Sequence, residues 1–196
     1  MVIAGVSVSE ENHKHLGKIV RGDSKKFSPA VRESLAWRLR TFLEAVVVRI
    51  ASTHVIDEWV LNRGPGGLNR LELRMMSEVI KRLGAGKVYV DCCDVNERRF
   101  RWKLEELVGC NVQLVCEHQA DERYPVTSAA SVIAKVVRDR AISRIRGAYG
   151  EVGSGYSHDH RTKAFLEVWY REKGELPPIV RRSWRTTMNL IETHHR

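Results

Sequence analysis

The chain has 196 residues, 43% of them hydrophobic, which suits one folded domain with room for a small appendage and argues against disorder. Its net charge of +9 favours a polyanionic partner, because lysine and arginine displace counterions from phosphates, although simple solubility would account for the same charge. No apolar run approaches the ~18 residues of a membrane helix, and an acidic segment follows the short apolar N-terminus instead of a signal-peptide cleavage site, so we expect a cytosolic protein.

The apolar pattern predicts strands and helices in a mixed order. In chain order they are a strand at residues 2–8, a helix beginning at Ser28-Pro29, a buried strand at 45–50, a helix from Leu68 to Leu83, a short strand at 87–90, a helix from Asn96 to about Val108, a strand at 112–116, a long helix from Val126 to about Arg146, a Gly-rich loop at 150–160, and helices at 161–173 and 183–194. This order predicts an α/β domain with a helical tail.

Two aspartates follow apolar strands. Asp91 comes directly after the strand at 87–90, and Asp121 lies between the strand at 112–116 and a helix. Each could be an ordinary residue of a strand end or a turn. Open α/β sheets, however, place ligands at the carboxyl ends of their strands, so we expect both side chains to face one cleft. Converging carboxylates suit a hard divalent cation that bridges to phosphates, and with the basic charge they predict metal-dependent phosphodiester cleavage.

Three other motifs favour structural interpretations. The cysteines at 92, 93, 110 and 116 fit neither a zinc ribbon nor a redox CxxC, so we interpret them as reduced core residues. The sequence His158-Asp159-His160 could clip a metal, but its Gly-rich loop favours solvated side chains. The sequence Gly64-Pro65-Gly66-Gly67 lacks the Lys and Ser/Thr of a phosphate loop and is interpreted as a linker.

Five segments, taken in order, are shared with a known family. They are Asp23–Pro29 (DSKKFSP), Val88–Asp91 (VYVD), Ala120-Asp121 with Tyr124 and the helix at 128–139, the loop Gly153-Ser154-Gly155-Tyr156 with Asp159, Arg161 and Thr162, and Pro177–Trp184. Together they resemble ribonuclease HII, the type 2 ribonuclease H, of the archaeal style. The similarity spans essentially the whole chain.

The resemblance implies a fold and an activity. The fold would be a ribonuclease H-like mixed sheet flanked by helices, with a catalytic core at residues 1–150 and a C-terminal loop and helical segment at 151–196. The activity would be endonucleolytic cleavage of the RNA strand of RNA–DNA hybrids, and cleavage at ribonucleotides embedded in DNA, by two-metal hydrolysis with Mg²⁺ or Mn²⁺. The products would carry 3′-hydroxyl and 5′-phosphate ends, and we expect a monomer that acts away from membranes.

The resemblance also implies roles for individual side chains. The residues concerned are Lys25, Asp91, Asp121, Lys135, Arg138 and Tyr156. The two aspartates would be catalytic metal ligands, and the tyrosine would stack on the deoxyribose at an RNA–DNA junction. The three cations would lie near substrate phosphates. The tyrosine could instead be a loop aromatic packed on the core, and each cation could be a solvated charge.

The N-terminal segment departs from the family. The family opens with a strand that leads into Asp-Glu-Ala-Gly-Arg-Gly, whose first two residues are metal ligands, whereas MVIAGV at residues 1–6 resembles its second strand. We favour the explanation that the sequence starts at an internal methionine. The alternative is a lineage that binds hybrids without cutting them. A third hypothesis is an unrelated basic α/β nuclease. We expect this chain to cleave poorly or not at all, an upstream-extended version to be active, and neighbouring strands to keep unpaired edges.

Overall fold

A computed structural model of the chain describes residues 1–20, 27–62, 64, 66–109 and 111–194. These residues form two compact units, each built from separate segments. The sheet unit comprises Val2–Ile50 and Asn69–Val137, and the helical unit comprises Met1, Ala51–Leu68 and Arg138–Arg196. The predicted division of the chain at residue 150 is not tested by this grouping and stays a prediction.

Strands and helices alternate along the chain. They are β1 (Val2–Ser7), α1 (Glu10–Ile19), α2 (Pro29–Leu39), β2 (Ala45–Ile50), α3 (Thr53–Asn62), α4 (Gly67–Leu83), β3 (Lys87–Asp91), α5 (Glu97–Val108), β4 (Gln113–Glu117), α6 (Ala120–Arg123), α7 (Pro125–Tyr149), α8 (His160–Lys173) and α9 (Arg185–His194). This order confirms the predicted α/β class. Within the described part of the chain, no helix combines the length and the apolar character that crossing a membrane requires.

Helices α1 and α3 were not predicted, and each begins at a serine cap. The Ser9 hydroxyl accepts a hydrogen bond of 3.2 Å from the Asn12 N–H, and the Ser52 hydroxyl accepts one of 3.3 Å from the Val55 N–H. Such a cap satisfies an N–H group that the first turn of a helix leaves unpaired. Helix α1 buries Leu16 and is otherwise mostly polar, so it lacks the apolar stripe on which the predictions depended.

The strands pair as two short sheets. β1 and β2 are antiparallel, with Val2 opposite Ile50. β3 and β4 are parallel, with Asp91 opposite Glu117. Among the described residues, β1 and β3 each pair with a single strand, which leaves a second edge on both. This agrees with the expectation of unpaired edges, and the parallel pair brings the carboxyl ends of β3 and β4 to the same edge.

Two apolar clusters form the core of the sheet unit. One joins α1, α2 and α7 through Leu16, Leu39 and Val132, and the other joins β3, β4 and α5 around Phe100 and Leu104. All five side chains are fully buried. Burial of one such side chain stabilises a fold by roughly 1.5–3 kcal/mol. The second cluster therefore holds the parallel strand pair, and with it the edge that carries Asp91.

The cysteines follow the predicted core pattern in part. Cys92 and Cys116 are free and buried beside Phe100, and burial raises the pKa of the Cys116 thiol to about 12. The prediction was wrong for Cys93, which is exposed, because it follows the end of β3 where the chain leaves the core. Cys110 lies outside the described residues.

A buried carboxylate ties the helical unit together. Asp57 in α3 accepts hydrogen bonds of 2.8 Å from the Arg182 N–H and 2.9 Å from the Ser183 N–H. Asp57 is 8% exposed, and these donors satisfy a charge that would be costly to bury alone. The contact anchors the segment before α9, which also packs through Val180 on the cluster around Leu166.

Candidate active site

Asp91 and Asp121 are brought together by one hydrogen bond. Asp91 is the last residue of β3, and Asp121 is the second residue of α6, which follows β4. A carboxylate oxygen of Asp91 accepts a hydrogen bond of 3.1 Å from the backbone N–H of Ala120. Since Ala120 directly precedes Asp121, this bond joins the two strand ends and agrees with the expectation that both aspartates face one cleft.

Both aspartates line a cavity of about 320 Å³ in the sheet unit. Its walls come from β1 and β3, from the last turns of α4 and from the first turns of α7. β1 approaches α4 closely at Gly5, where a Cβ would lie 2.5 Å from Val79 Cγ1 and 2.7 Å from Leu83 Cδ1, so a larger residue would force these side chains to move. The cavity thus lies between the edges of β1 and β3 and has two carboxylates in its wall.

Asp121 has an unsatisfied oxygen. Asp121 is 9% exposed, and its Oδ1 atom is buried without a hydrogen-bond partner among the described residues. A buried polar atom left unpaired costs roughly 1–3 kcal/mol, and more when it carries charge. An oxygen of this kind beside a second carboxylate fits the coordination of a hard cation such as Mg²⁺, which commonly takes one or two carboxylates together with substrate phosphates.

The turn that leads into Asp121 has a strained backbone. Gln119 has φ 56° and ψ 33°, and in the described part of the chain it is the single non-glycine residue with a positive φ. The left-handed conformation costs an ordinary residue about 1–2 kcal/mol. Because Gln119 lies between β4 and α6, its conformation sets the direction in which the Ala120 N–H and the Asp121 side chain leave the sheet.

Neighbouring side chains hold the same turn in place. Glu97 accepts a hydrogen bond of 2.6 Å from the His118 N–H, and Glu117 forms an ion pair of 2.9 Å with Arg123. The pKa of the Tyr124 phenol is raised, mainly by desolvation and to a smaller extent by a hydrogen bond with Glu117. Glu117 therefore stabilises the turn, although it too stands at the end of a strand beside Asp91.

The predicted substrate-binding cations have different surroundings. The Lys135 Nζ atom donates a hydrogen bond of 2.6 Å to the Ser131 hydroxyl, and Ser131 lines the cavity in the sheet unit. The Arg138 guanidinium belongs to the helical unit, where its Cζ atom lies 3.7 Å from the centroid of the Tyr156 ring. Lys25 lies outside the described residues.

The loop that carries Tyr156 is built around Asp159. The Asp159 carboxylate accepts hydrogen bonds from the Ser154 N–H and hydroxyl, and it caps α8 through the Arg161 N–H. The buried Thr162 hydroxyl accepts a hydrogen bond of 3.0 Å from the Gly155 N–H. Hydrogen bonds from Ser154, first from its backbone N–H and second from its hydroxyl, hold the pKa of Asp159 well below its usual range. Asp159 thus organises this loop, in contrast to the alternative of a metal clip.

Comparison with known proteins gives consistent matches along the chain. The family model described as Ribonuclease HII matches residues 1–187. A protein of Cenarchaeum symbiosum named ribonuclease HII is 43% identical over 192 residues, which cover 98% of this chain and 90% of the relative.

The chain belongs to the ribonuclease HII family.

Solved structures of this family have the same fold. The crystal structure of ribonuclease H2 from Pyrococcus horikoshii superposes with a TM-score of 0.87 at 35% identity and covers 100% of both chains. Ribonuclease HII from Archaeoglobus fulgidus, solved in complex with PCNA, gives a TM-score of 0.86 at 39% identity and covers 96% of this chain and 88% of that one. The predicted ribonuclease H-like fold is therefore confirmed.

Sequence reasoning did not find several contacts of this ribonuclease HII site. The positive φ of Gln119 and the hydrogen bond from Ala120 to Asp91 had no sequence signal, because both depend on how β4 ends beside β3. The capping role of Asp159 did have a sequence signal, since an aspartate directly before a helix is a common N-cap. The stacking of Arg138 on Tyr156 joins residues that are distant in sequence and had no local signal, whereas the resemblance implied a place near substrate phosphates for Arg138.

We predict that the Gln119 turn controls both stability and cation binding. Gln119→Gly relieves the strain and changes the free energy of unfolding by no more than about 1 kcal/mol, since glycine also gains freedom in the unfolded chain. Gln119→Val destabilises by roughly 1–2 kcal/mol and weakens Mn²⁺ binding, because a β-branched residue resists a positive φ. Urea unfolding and Mn²⁺ titration measure the two effects. The control is Gln113→Val, at an exposed position of β4 where the backbone is extended. Equal free energies of unfolding for Gln119→Val and Gln119→Gly would contradict the prediction.

The Asp159 network predicts a pH-dependent loop. The pKa of Asp159 is lower in the folded state than in the unfolded chain, where it is about 3.9. The stabilisation that the ionised carboxylate gives the folded loop is therefore fully present above this unfolded pKa and is lost as the pH falls through the folded pKa. Hydrogen exchange of the Ser154 amide should therefore be slow at pH 6 and accelerate, relative to its intrinsic rate, in strong acid. Asp159→Asn should lose this protection already at pH 6, whereas the exposed control Glu175→Gln should keep it. Equal protection in Asp159→Asn and in the unsubstituted protein would refute the assignment.

Proposed function

We propose that this chain, acting as a monomer, binds RNA–DNA hybrids and DNA with embedded ribonucleotides and hydrolyses the phosphodiester bond of the RNA at the site of Asp91 and Asp121. The observation that carries the proposal is the hydrogen bond from Ala120 to Asp91, which joins both carboxylates at one cavity. Membership of the ribonuclease HII family supports the same chemistry.

A divalent cation, Mg²⁺ or Mn²⁺, is part of the proposal. Asp91 and Asp121 would hold it, since both are oxygen donors in the wall of one cavity and Asp121 Oδ1 has no partner among the described residues. When bound, such a cation supplies electrostatic stabilisation of the charge that develops on the phosphate. The chain itself holds Asp91 in place through the Ala120 N–H and directs Asp121 through the Gln119 turn, so neither carboxylate has to reorganise during the reaction.

Substrate contacts would come from cationic and aromatic side chains. Lys135 carries a charge next to Ser131 on the cavity wall, where it could meet a phosphate. Tyr156 as a residue is 45% exposed, and this accessible surface is where a sugar would pack. An aromatic surface favours a deoxyribose over a ribose because the 2′-hydroxyl brings a polar group against the ring. We therefore assign Tyr156 to the deoxyribose of an RNA–DNA junction.

The carboxylate pair predicts separate effects on cation binding and on hybrid binding. Asp91→Asn and Asp121→Asn should each lower Mn²⁺ affinity by about tenfold or more, because each removes an anionic ligand. Each should also reduce metal-dependent cleavage of a duplex with one embedded ribonucleotide by about 100-fold or more. Hybrid affinity measured with EDTA should stay equal or rise, since each substitution removes a negative charge facing the phosphates. Mn²⁺ titration, product analysis on gels and fluorescence anisotropy measure these quantities.

A matched control separates the site from general charge effects. Glu106→Gln removes one negative charge at an exposed position of α5 in the same unit and should change none of the three quantities. We expect slow but metal-dependent cleavage by the unsubstituted chain. Cleavage that persists in both asparagine variants, or no cleavage by the unsubstituted chain with either metal, would overturn the proposed function.

A further inference from the structure

The guanidinium of Arg138 and the ring of Tyr156 form one stacked unit. The Cζ atom of Arg138 lies 3.7 Å from the ring centroid, which is direct contact. We propose that Arg138 is a positioning residue that holds Tyr156 in the orientation in which it selects the sugar at an RNA–DNA junction. This inference rests on the proposed function, because it assumes that Tyr156 meets the substrate.

The hydrogen bonds of Arg138 favour positioning over phosphate binding. One of its terminal N–H groups donates a bond of 2.8 Å to the Ser154 carbonyl oxygen, and Nη1 lies 4.0 Å from the Asp139 carboxylate. Its side chain is 25% exposed. A guanidinium can donate hydrogen bonds in its plane while its face packs on an aromatic ring. Arg138 therefore uses its edge to hold the loop and its face to support Tyr156.

The backbone before Tyr156 is fixed against the same helix. Gly155 has φ +70°, and a Cβ at this position would lie 2.6 Å from Ile142 Cδ1 and 3.6 Å from Arg138 Nη2. Arg138 and Ile142 are four residues apart in α7 and so lie on one face of that helix. The loop thus rests directly on α7, and the orientation of Tyr156 depends on the shape of this face as well as on its charge.

Tyr156 keeps solvent-accessible surface beside these contacts. Tyr156 stays 45% exposed although Arg138 contacts it, and the His158 ring stacks at 5.5 Å with an angle of 21° between the planes. Lysine cannot replace arginine here, because an ammonium group has neither a planar face nor donors fixed in a plane. Arg138→Lys therefore keeps the charge and removes the support, which separates the two possible roles of Arg138.

The experiment compares junction preference across variants of the full chain. Junction preference is the ratio of cleavage rates for a duplex with one RNA–DNA junction and for a uniform hybrid, each with Mn²⁺. Tyr156→Ala should lower this ratio by at least about fivefold. Arg138→Lys should lower it to a similar level, and the double variant should lower it no further. Hybrid affinity, the slope of its salt dependence and the thermal midpoint should stay unchanged in Arg138→Lys.

A matched control and the contradictory outcomes complete the experiment. Arg144→Lys, at an exposed position of α7, should leave the ratio unchanged. If Arg138→Lys keeps the preference while Arg138→Gln loses affinity and lowers the salt slope, Arg138 binds a phosphate and the positioning role is wrong. If the unsubstituted chain cleaves both duplexes at equal rates, the assignment of Tyr156 fails and this inference fails with it. The absence of any cleavage would instead overturn the proposed function itself.

Discussion

The hydrogen bond from the Ala120 N–H to the Asp91 carboxylate is the contact on which the proposed chemistry depends. It joins the end of β3 to the first turn after β4, so two residues distant in sequence contribute to one cavity wall. The bond can form because the strands are parallel and in register, with Asp91 opposite Glu117. The buried Phe100 and Leu104 hold those strands, and thus the packing of α5 indirectly fixes the distance between the carboxylates.

The general position of the site was predictable from the sequence. An apolar strand that ends in a carboxylate is a local pattern, which finds Asp91, and Asp121 follows the next apolar strand after a short turn. Because parallel strands place such ends at one edge, both residues could be found without coordinates. Gln119 could not, because glutamine has no intrinsic preference for a positive φ and adopts one here under the constraint of the surrounding turn. The strain at Gln119 lies directly beside the proposed cation ligands, where pre-organisation would be useful.

Two further differences between prediction and structure have physical causes. The polar helix α1 was missed because a single buried residue, Leu16, gives no periodic signal. The surroundings of Arg138 were also missed, because a sequence records the charge of a side chain and does not record which of its atoms are engaged. Its partners Ser154 and Tyr156 lie in a loop whose conformation depends on Asp159 and on two glycines with positive φ.

The central claim is that Asp91 and Asp121 share a divalent cation. A crystal structure of the chain grown with Mn²⁺, with anomalous diffraction data, tests this claim most directly. The claim predicts an anomalous peak in the cavity of the sheet unit, within coordination distance of oxygens from both carboxylates. A peak bound elsewhere, with Asp91 and Asp121 both free of metal at saturating Mn²⁺, would contradict it.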